Sequence, residues 1–370
     1  MSEGSPGLRE EYLTLALVPG IGAARLSALL QRFGTPRAAL AASVTQIQAV
    51  EGISPAAATA VSRADRDAGA KILAALEFVG GVLLLPEDPG FPAVLRDIPE
   101  PPTLLFARGR LDLLGRPAVA IVGSRDHTVY GREVCHAVAR ASADAGLVVV
   151  SGMARGLDAV AHQGALDAGG ATIGVLGNGL GVIYPAANRR LYESVERLGL
   201  LLSEFPPGER PTQGSFPRRN RLISGLARVT VVVEAAVTSG ALQTVECAQN
   251  QGREVLAVPG PITSPVSAGT NGLIRDGSQP LLELRDLLEH YPEASLAAQL
   301  AAAEPGVLPP LERRILNALH HEPLPAESLL GLVDAPVADT LDALSVLELR
   351  GTVAREASGR YRLAMDRLFR

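Results

Sequence analysis

Between residues 117 and 258 the chain repeats one pattern, a short unbroken apolar run followed by a longer amphipathic stretch. Runs at 117–123, 147–152, 172–177, 200–205, 229–235 and 254–258 read as strands, and 130–145, 157–168, 188–198, 220–227 and 241–251 as helices. Unbroken rather than alternating apolar runs mark strands buried on both faces of a parallel sheet. Strand and helix in regular succession predict a doubly wound α/β layer, whose ligands bind beyond the carboxyl ends of the strands. Two more buried strands are expected at 82–85 and 103–106, across a Pro-rich segment.

The flanks have another character. Residues 1–80 read as short helices, with Val18-Pro19-Gly20-Ile21-Gly22 and Val50-Glu51-Gly52-Ile53-Ser54 at the hairpin positions of two helix-hairpin-helix units. Glycines there let backbone N–H groups approach a phosphate. Ser54 replaces the second glycine of the second copy and no basic cluster follows either, so a packing module fits these residues as well. Residues 81–290 hold the sheet. Residues 291–308, Ala-rich and ending near Pro305-Gly306, read as a linker. Residues 309–370 show three helices and a two-strand hairpin, the winged-helix order.

Net charge is −5, from 34 basic and 39 acidic residues, but residues 116–228 carry 13 basic against 9 acidic. All the basic residues except Lys71 are arginine, which suits phosphate recognition and equally fits a general compositional bias. Cys135 and Cys247 stand far apart without a CxxC, which argues against a disulfide scaffold or a structural zinc site and suits a reducing cytosol. No apolar run approaches the ~18 residues of a membrane span. Glu3, Glu10 and Glu11 stand where a signal peptide would be basic, so a cytoplasmic protein is expected.

Chemistry is expected where strands end. There stand Gly123-Ser124-Arg125, Ser151-Gly152-Met153-Ala154-Arg155-Gly156-Leu157-Asp158, Gly177-Asn178-Gly179-Leu180-Gly181 and Phe216-Pro217-Arg218-Arg219-Asn220-Arg221. Glycine and hydroxyl turns that open helices present N–H groups to an anion. Arg125, Arg155, Arg218, Arg219 and Arg221 add more charge than one small phosphate needs, whereas a phosphodiester chain can use them. Phe216 fits either a base-stacking ring or a loop anchor. The glycine loop at 177–181 runs into Val182-Ile183-Tyr184-Pro185 rather than a helix, which argues against a nicotinamide cofactor. Asp158 and His162, at i and i+4, fit a helix-stabilising contact better than an acid/base pair. Glu234 or Glu246, in a segment faintly like that of nucleotide-cleaving phosphoribohydrolases, supplies a rival enzymatic reading. No nucleophilic triad or Walker lysine is visible.

On these motifs, with Val119-Ala120-Ile121-Val122, Tyr184-Pro185, Asn188 and Val258-Pro259-Gly260, the chain resembles the DNA processing protein family DprA, also called Smf. The resemblance implies an extended Rossmann-like domain between an N-terminal helical (helix-hairpin-helix, SAM-like) domain and a C-terminal winged helix. It also implies a non-enzymatic homodimer that binds single-stranded DNA without a cofactor and loads RecA onto it during natural transformation. The DNA-binding residues it points to are Gly123, Ser124, Arg125, Ser151, Gly152, Arg155, Gly156, Arg189, Phe216, Arg218, Asn220 and Arg221. Arg219, inside the same basic run, is added to them. Such a site neutralises phosphates, and no base-specific readout is expected. Two departures affect the loops: Gly181 stands where the family usually has Asp, and Ala241-Leu242-Gln243-Thr244-Val245 where it has a Ser-Leu-Ile-Thr-Ala-like run. In the winged helix, the helix at 336–349 carries Asp339, Asp342 and Glu348, which predicts little contribution to DNA affinity; Arg355, Arg360 and Arg362 of the wing count against that.

Overall fold

The computed structural model describes residues 6–292, 294, 309–320, 322–349, 351–356 and 358–364. Most of the expected linker, including Pro305-Gly306, lies outside the described residues, as does Arg350. Nine strands form one sheet: β1 Val82–Leu84, β2 Leu105–Gly109, β3 Ala118–Val122, β4 Val148–Ser151, β5 Thr172–Val175, β6 Leu200–Ser203, β7 Val229–Val232, β8 Glu254–Ala257 and β9 Gln279–Pro280. Their spatial order is β1-β2-β6-β5-β4-β3-β7-β8-β9. The chain starts at β3, winds outward through β4, β5 and β6, then returns to β7 on the other side of β3. That reversal opens a crevice between the turns that follow β3 and β7.

The strands from β3 onward pair in parallel. The expectation of a parallel sheet needs correction at one edge, because β2 runs antiparallel to both β1 and β6. The Pro-rich link between β1 and β2 forms no crossover helix, and without one neighbouring strands run antiparallel. β9 and the helix Ala268–Arg275 add to the elements expected.

Alternate residues of β3 face opposite layers, as the two-residue period requires. Val119 and Ile121 pack with Val134 and Val138 of the helix Val129–Asp144. Ala118, Ala120 and Val122 pack with Leu222, Ile223 and Leu226 on the other face. Ile121 is fully buried, and burial of such a side chain stabilises by about 1.5–3 kcal/mol.

The N-terminal helices share a continuous core with the sheet, in which Leu13, Leu29 and Ile47 join Leu83, Phe106 and Leu176. Arg25 donates to the carbonyl oxygens of Gly20 at 2.7 Å and Gly52 at 2.8 Å, and so ties the two hairpins together. Ser54, which stands in place of a glycine, caps the helix Pro55–Ser62 by accepting from the Ala57 N–H.

The C-terminal module has helices Pro310–Ala318, Ala326–Leu332 and Val337–Leu349. Beside the expected hairpin of β11 (Val353–Arg355) and β12 (Arg360–Leu363), a third short strand, β10 (Leu324–Pro325), joins β12. Ile315, Leu329, Leu344 and Val353 form its core. Among the described residues, no helix is long and apolar enough to cross a membrane.

Candidate nucleic-acid interface

A cleft of about 300 Å³ occupies the crevice at the reversal of strand order. The turn after β3 forms one wall. Its Ser124 N–H donates to the Glu234 carbonyl oxygen at 2.7 Å, which locks it to the segment after β7. The Ser124 hydroxyl donates to the Asp126 carbonyl oxygen at 2.7 Å, which shapes the turn that presents Arg125 outward.

Two glycines permit the close approach behind this turn. Gly156 has φ of 82° and lies so near Ser124 and Arg125 that a Cβ would sit 2.5 Å from the Ser124 carbonyl oxygen. A Cβ on Gly152 would sit 2.6 Å from an Asp158 carboxylate oxygen and 2.7 Å from an Arg219 guanidinium nitrogen. Either side chain would force the loop open.

The cleft carries an aromatic and cationic ladder. Phe216 is half-buried; its ring centroid lies 5.6 Å from that of Tyr184, and the Arg125 guanidinium stands over it at 5.7 Å. Gly177 lets the ring in, since a Cβ there would come within 2.8 Å of it. Tyr184 is 46% exposed, so the ladder leads from the cleft to the surface.

The expected site residues divide by environment. Arg125, Arg155, Arg189 and Arg218 are exposed on the carboxyl edge. Arg155 pairs with the exposed Asp126 at 2.9 Å, a contact worth well under ~1 kcal/mol in water. Arg218 lies over the Phe205 ring at 5.3 Å. Arg221 instead makes a two-pronged bond to the buried Glu204, at 2.7 Å for each oxygen.

Arg219 and Ser151 need reassignment as surface contacts. Ser151 is fully buried and donates to the Ile121 carbonyl oxygen at 2.7 Å. Arg219, 4% exposed, donates to the carbonyl oxygens of Gly152 and Val175, beside the buried Asp158. The physical reason is the helix Ser215–Gly225, which starts before the expected position of 220 and carries Arg219 onto its inner face with Ile223. Burial lowers the Arg219 pKa and raises that of Asp158, and each charge opposes the shift in the other.

The groups invoked for catalysis are engaged elsewhere. Glu234, 1% exposed, accepts from the Thr128 N–H at 2.9 Å and from the Thr128 hydroxyl, which caps the helix Val129–Asp144. Neither Glu234 nor Glu246 lines the cleft. His162 is fully buried, with Nδ1 2.6 Å from the Thr172 hydroxyl oxygen and Nε2 accepting from the Met153 N–H. Burial pushes its pKa down to about 3, so the ring is neutral. Among the described residues no cluster of His, Cys, Asp or Glu is placed to hold a metal.

Three features escaped the sequence reading. Ser239, Gly240, Gln243 and Thr244 form the second wall. Tyr184 extends the ladder. Asn188 donates to the carbonyl oxygens of Met153 at 3.0 Å and Ala154 at 3.1 Å, pinning the loop before Arg155. The signal for the second wall was topological: a segment that follows β7 must face one that follows β3, because those strands are neighbours.

An open α/β sheet with an arginine-rimmed cleft at its switch point, between helix-hairpin-helix and winged-helix modules, defines a class of phosphate-recognising proteins. The profile of the DNA recombination-mediator protein A family matches residues 82–292, that of the DprA winged helix domain residues 297–359, and that of the SAM-like helix-hairpin-helix tandem residues 12–64. The chain belongs to the DprA (Smf) family. It is 39% identical over 289 residues to Protein Smf of Escherichia coli K12, covering 76% of this chain and 77% of that protein. It is 44% identical over 204 residues to DNA processing protein DprA of Streptococcus pneumoniae R6, covering 55% and 72%. The X-ray structure of the Streptococcus pneumoniae protein superposes with a TM-score of 0.64 at 36% identity, over 73% of this chain and 94% of that one. DprA of Helicobacter pylori, in a structure that describes its single-stranded DNA binding mode, superposes with a TM-score of 0.51 at 31% identity, over 59% and 96%.

Proposed function

We propose that the protein is a non-enzymatic, cytoplasmic mediator that binds single-stranded DNA along the carboxyl edge of its sheet. The observation that carries this reading is the cleft itself: exposed arginines and an aromatic ladder at the switch point, with no free general base among its lining residues. Arg125, Arg155, Arg189 and Arg218 neutralise phosphates, and Gly123, Ser124 and Gly156 set the turn that presents Arg125. Gly152, Ser151 and Arg219 hold the loop from behind, Asn220 lines the cleft, and Arg221 fixes the helix through Glu204. The likeness to the Helicobacter pylori DprA structure supports the same ligand.

As a homodimer, the protein delivers the coated strand to RecA during natural transformation. The domains act as units over 1–80, 81–290 and 309–370, joined by the 291–308 linker. The deciding experiment is a titration with single- and double-stranded oligomers of increasing length, which should show preference for single strands. The phosphoribohydrolase alternative is tested by mixing the protein with nucleoside monophosphates; release of free base would favour it. Sedimentation tests the dimer, and strand-exchange assays with and without RecA test the loading step.

A further inference from the structure

Binding phosphates uses one wall of the cleft. The other holds groups that phosphate has no need of. Gln243, in the first turn of the helix Ala241–Asn250, lines the cleft, and its carboxamide has no hydrogen-bond partner among the described residues. It occupies the position where the family's run has an apolar residue, so this polarity belongs to this chain. Opposite stands Asn220, only 8% exposed, whose carboxamide oxygen accepts from Arg219 at 3.3 Å. The Asn220 amino group has no partner among the described residues and lies on the same cleft. A buried amide donor without a partner is costly unless a ligand completes it.

The third component is Phe216, a ring at the same cleft. A flat apolar face flanked by donor and acceptor groups is the chemistry that recognises an unstacked nucleobase. We infer that the cleft seats a single base of the bound strand and that Gln243 reads its edge, with Asn220 donating from the opposite side. The seated base displaces Arg125 from its place over the ring toward a neighbouring phosphate. A carboxamide pairs its acceptor and donor with an amino group and an adjacent ring nitrogen. Adenine offers that combination with its N6 and N7, and again on its pairing edge, so the preferred base is adenine. The inference rests on the single-strand reading above and departs from the expectation of sequence-blind binding.

The test uses the full-length chain and oligo-dT carrying at one central position either dT, dA or a deoxynucleoside of unsubstituted purine, which lacks the amino group. Anisotropy titrations at one salt concentration should show the dA oligomer binding about tenfold tighter than the other two. Gln243→Ile should erase the difference while all-dT affinity stays within about twofold, with the thermal midpoint confirming the fold. Equal affinity for all three oligomers in the unmodified protein overturns base reading and leaves single-strand binding intact. A dA preference that survives Gln243→Ile removes Gln243 from the role. If no oligomer binds, the single-strand reading falls first and the inference falls with it.

Discussion

The buried guanidinium of Arg219 donates to the carbonyl oxygen of Gly152, 67 residues away, so an arginine within a basic surface run is an internal strut. It joins the helix Ser215–Gly225 to the ends of β4 and β5 and stands beside Asp158, also buried. Arg219→Met leaves a buried carboxyl and two carbonyls uncompensated. The expected loss of stability is about 3–5 kcal/mol, the scale for breaking a buried pair. Urea denaturation checks it; a loss below ~1 kcal/mol would mean that the strut carries no load.

Affinity for single strands should fall with salt less steeply than a five-arginine edge implies. With Arg219 buried and Arg221 held by Glu204, Arg125, Arg155, Arg189 and Arg218 remain exposed for phosphates. At ~0.7 per phosphate, log K against log[salt] should slope about −2 to −3, rather than the −3 to −4 expected for roughly four to six phosphates. A flat response removes the electrostatic mechanism.

Arg125→Ala should weaken binding by ~1–2 kcal/mol, the scale of one charge-assisted contact. Because the side chain is exposed and contacts the Phe216 ring rather than the core, the thermal midpoint should barely move. Filter binding beside a melting curve separates the two effects. Wild-type affinity in this variant would mislocate the interface.

Stability should decline in acid through His162. Its folded pKa, about 3, lies below the model value of 6.5. The neutral ring's contribution is therefore fully present above about pH 6.5 and is lost as pH falls toward 3, by up to ~1.4 kcal/mol per pH unit. Asp158, raised by burial, acts in the opposite sense but is common to both proteins compared. His162→Gln should show a shallower acid limb in melting curves between pH 4 and 7. Superimposable limbs in the two proteins would contradict this.

Truncation after Pro305 should leave affinity for single strands within about threefold, or ~0.6 kcal/mol. The helix Val337–Leu349 carries Asp339, Asp342 and Glu348, which phosphates repel. Of the wing arginines, Arg362 is spent on Glu133 of the sheet domain at 2.7 Å and lies 3.7 Å from Glu356. A tenfold drop with the sheet domain still folded would make the module a DNA contact.

The sheet was legible because its strands are buried on both faces, and unbroken Val-rich runs such as that of β4 have few alternative homes. The basic helix was harder. Pro217 suggested a loop through 216–219, yet proline is tolerated in a helix's first turn, where its missing N–H has no partner to lose. Moving the helix start back to Ser215 turned Arg219 inward, and nothing in a lone arginine's identity signals burial. Ser151 was misread for the opposite reason, since a hydroxyl at a strand end looks like a ligand until its Ile121 partner is visible. The second wall was hidden by distance along the chain: Ser124 and Gln243 meet only because β3 and β7 are adjacent.

Asn188 fixes the rim at Met153 and Ala154 with hydrogen bonds of the protein's own. A rim set at folding needs no rearrangement when a strand arrives, so capture is governed by encounter and charge steering. Ionic strength should therefore act mainly on how fast a strand is caught, whereas changes to Phe216 or Gln243 should act on how long it stays.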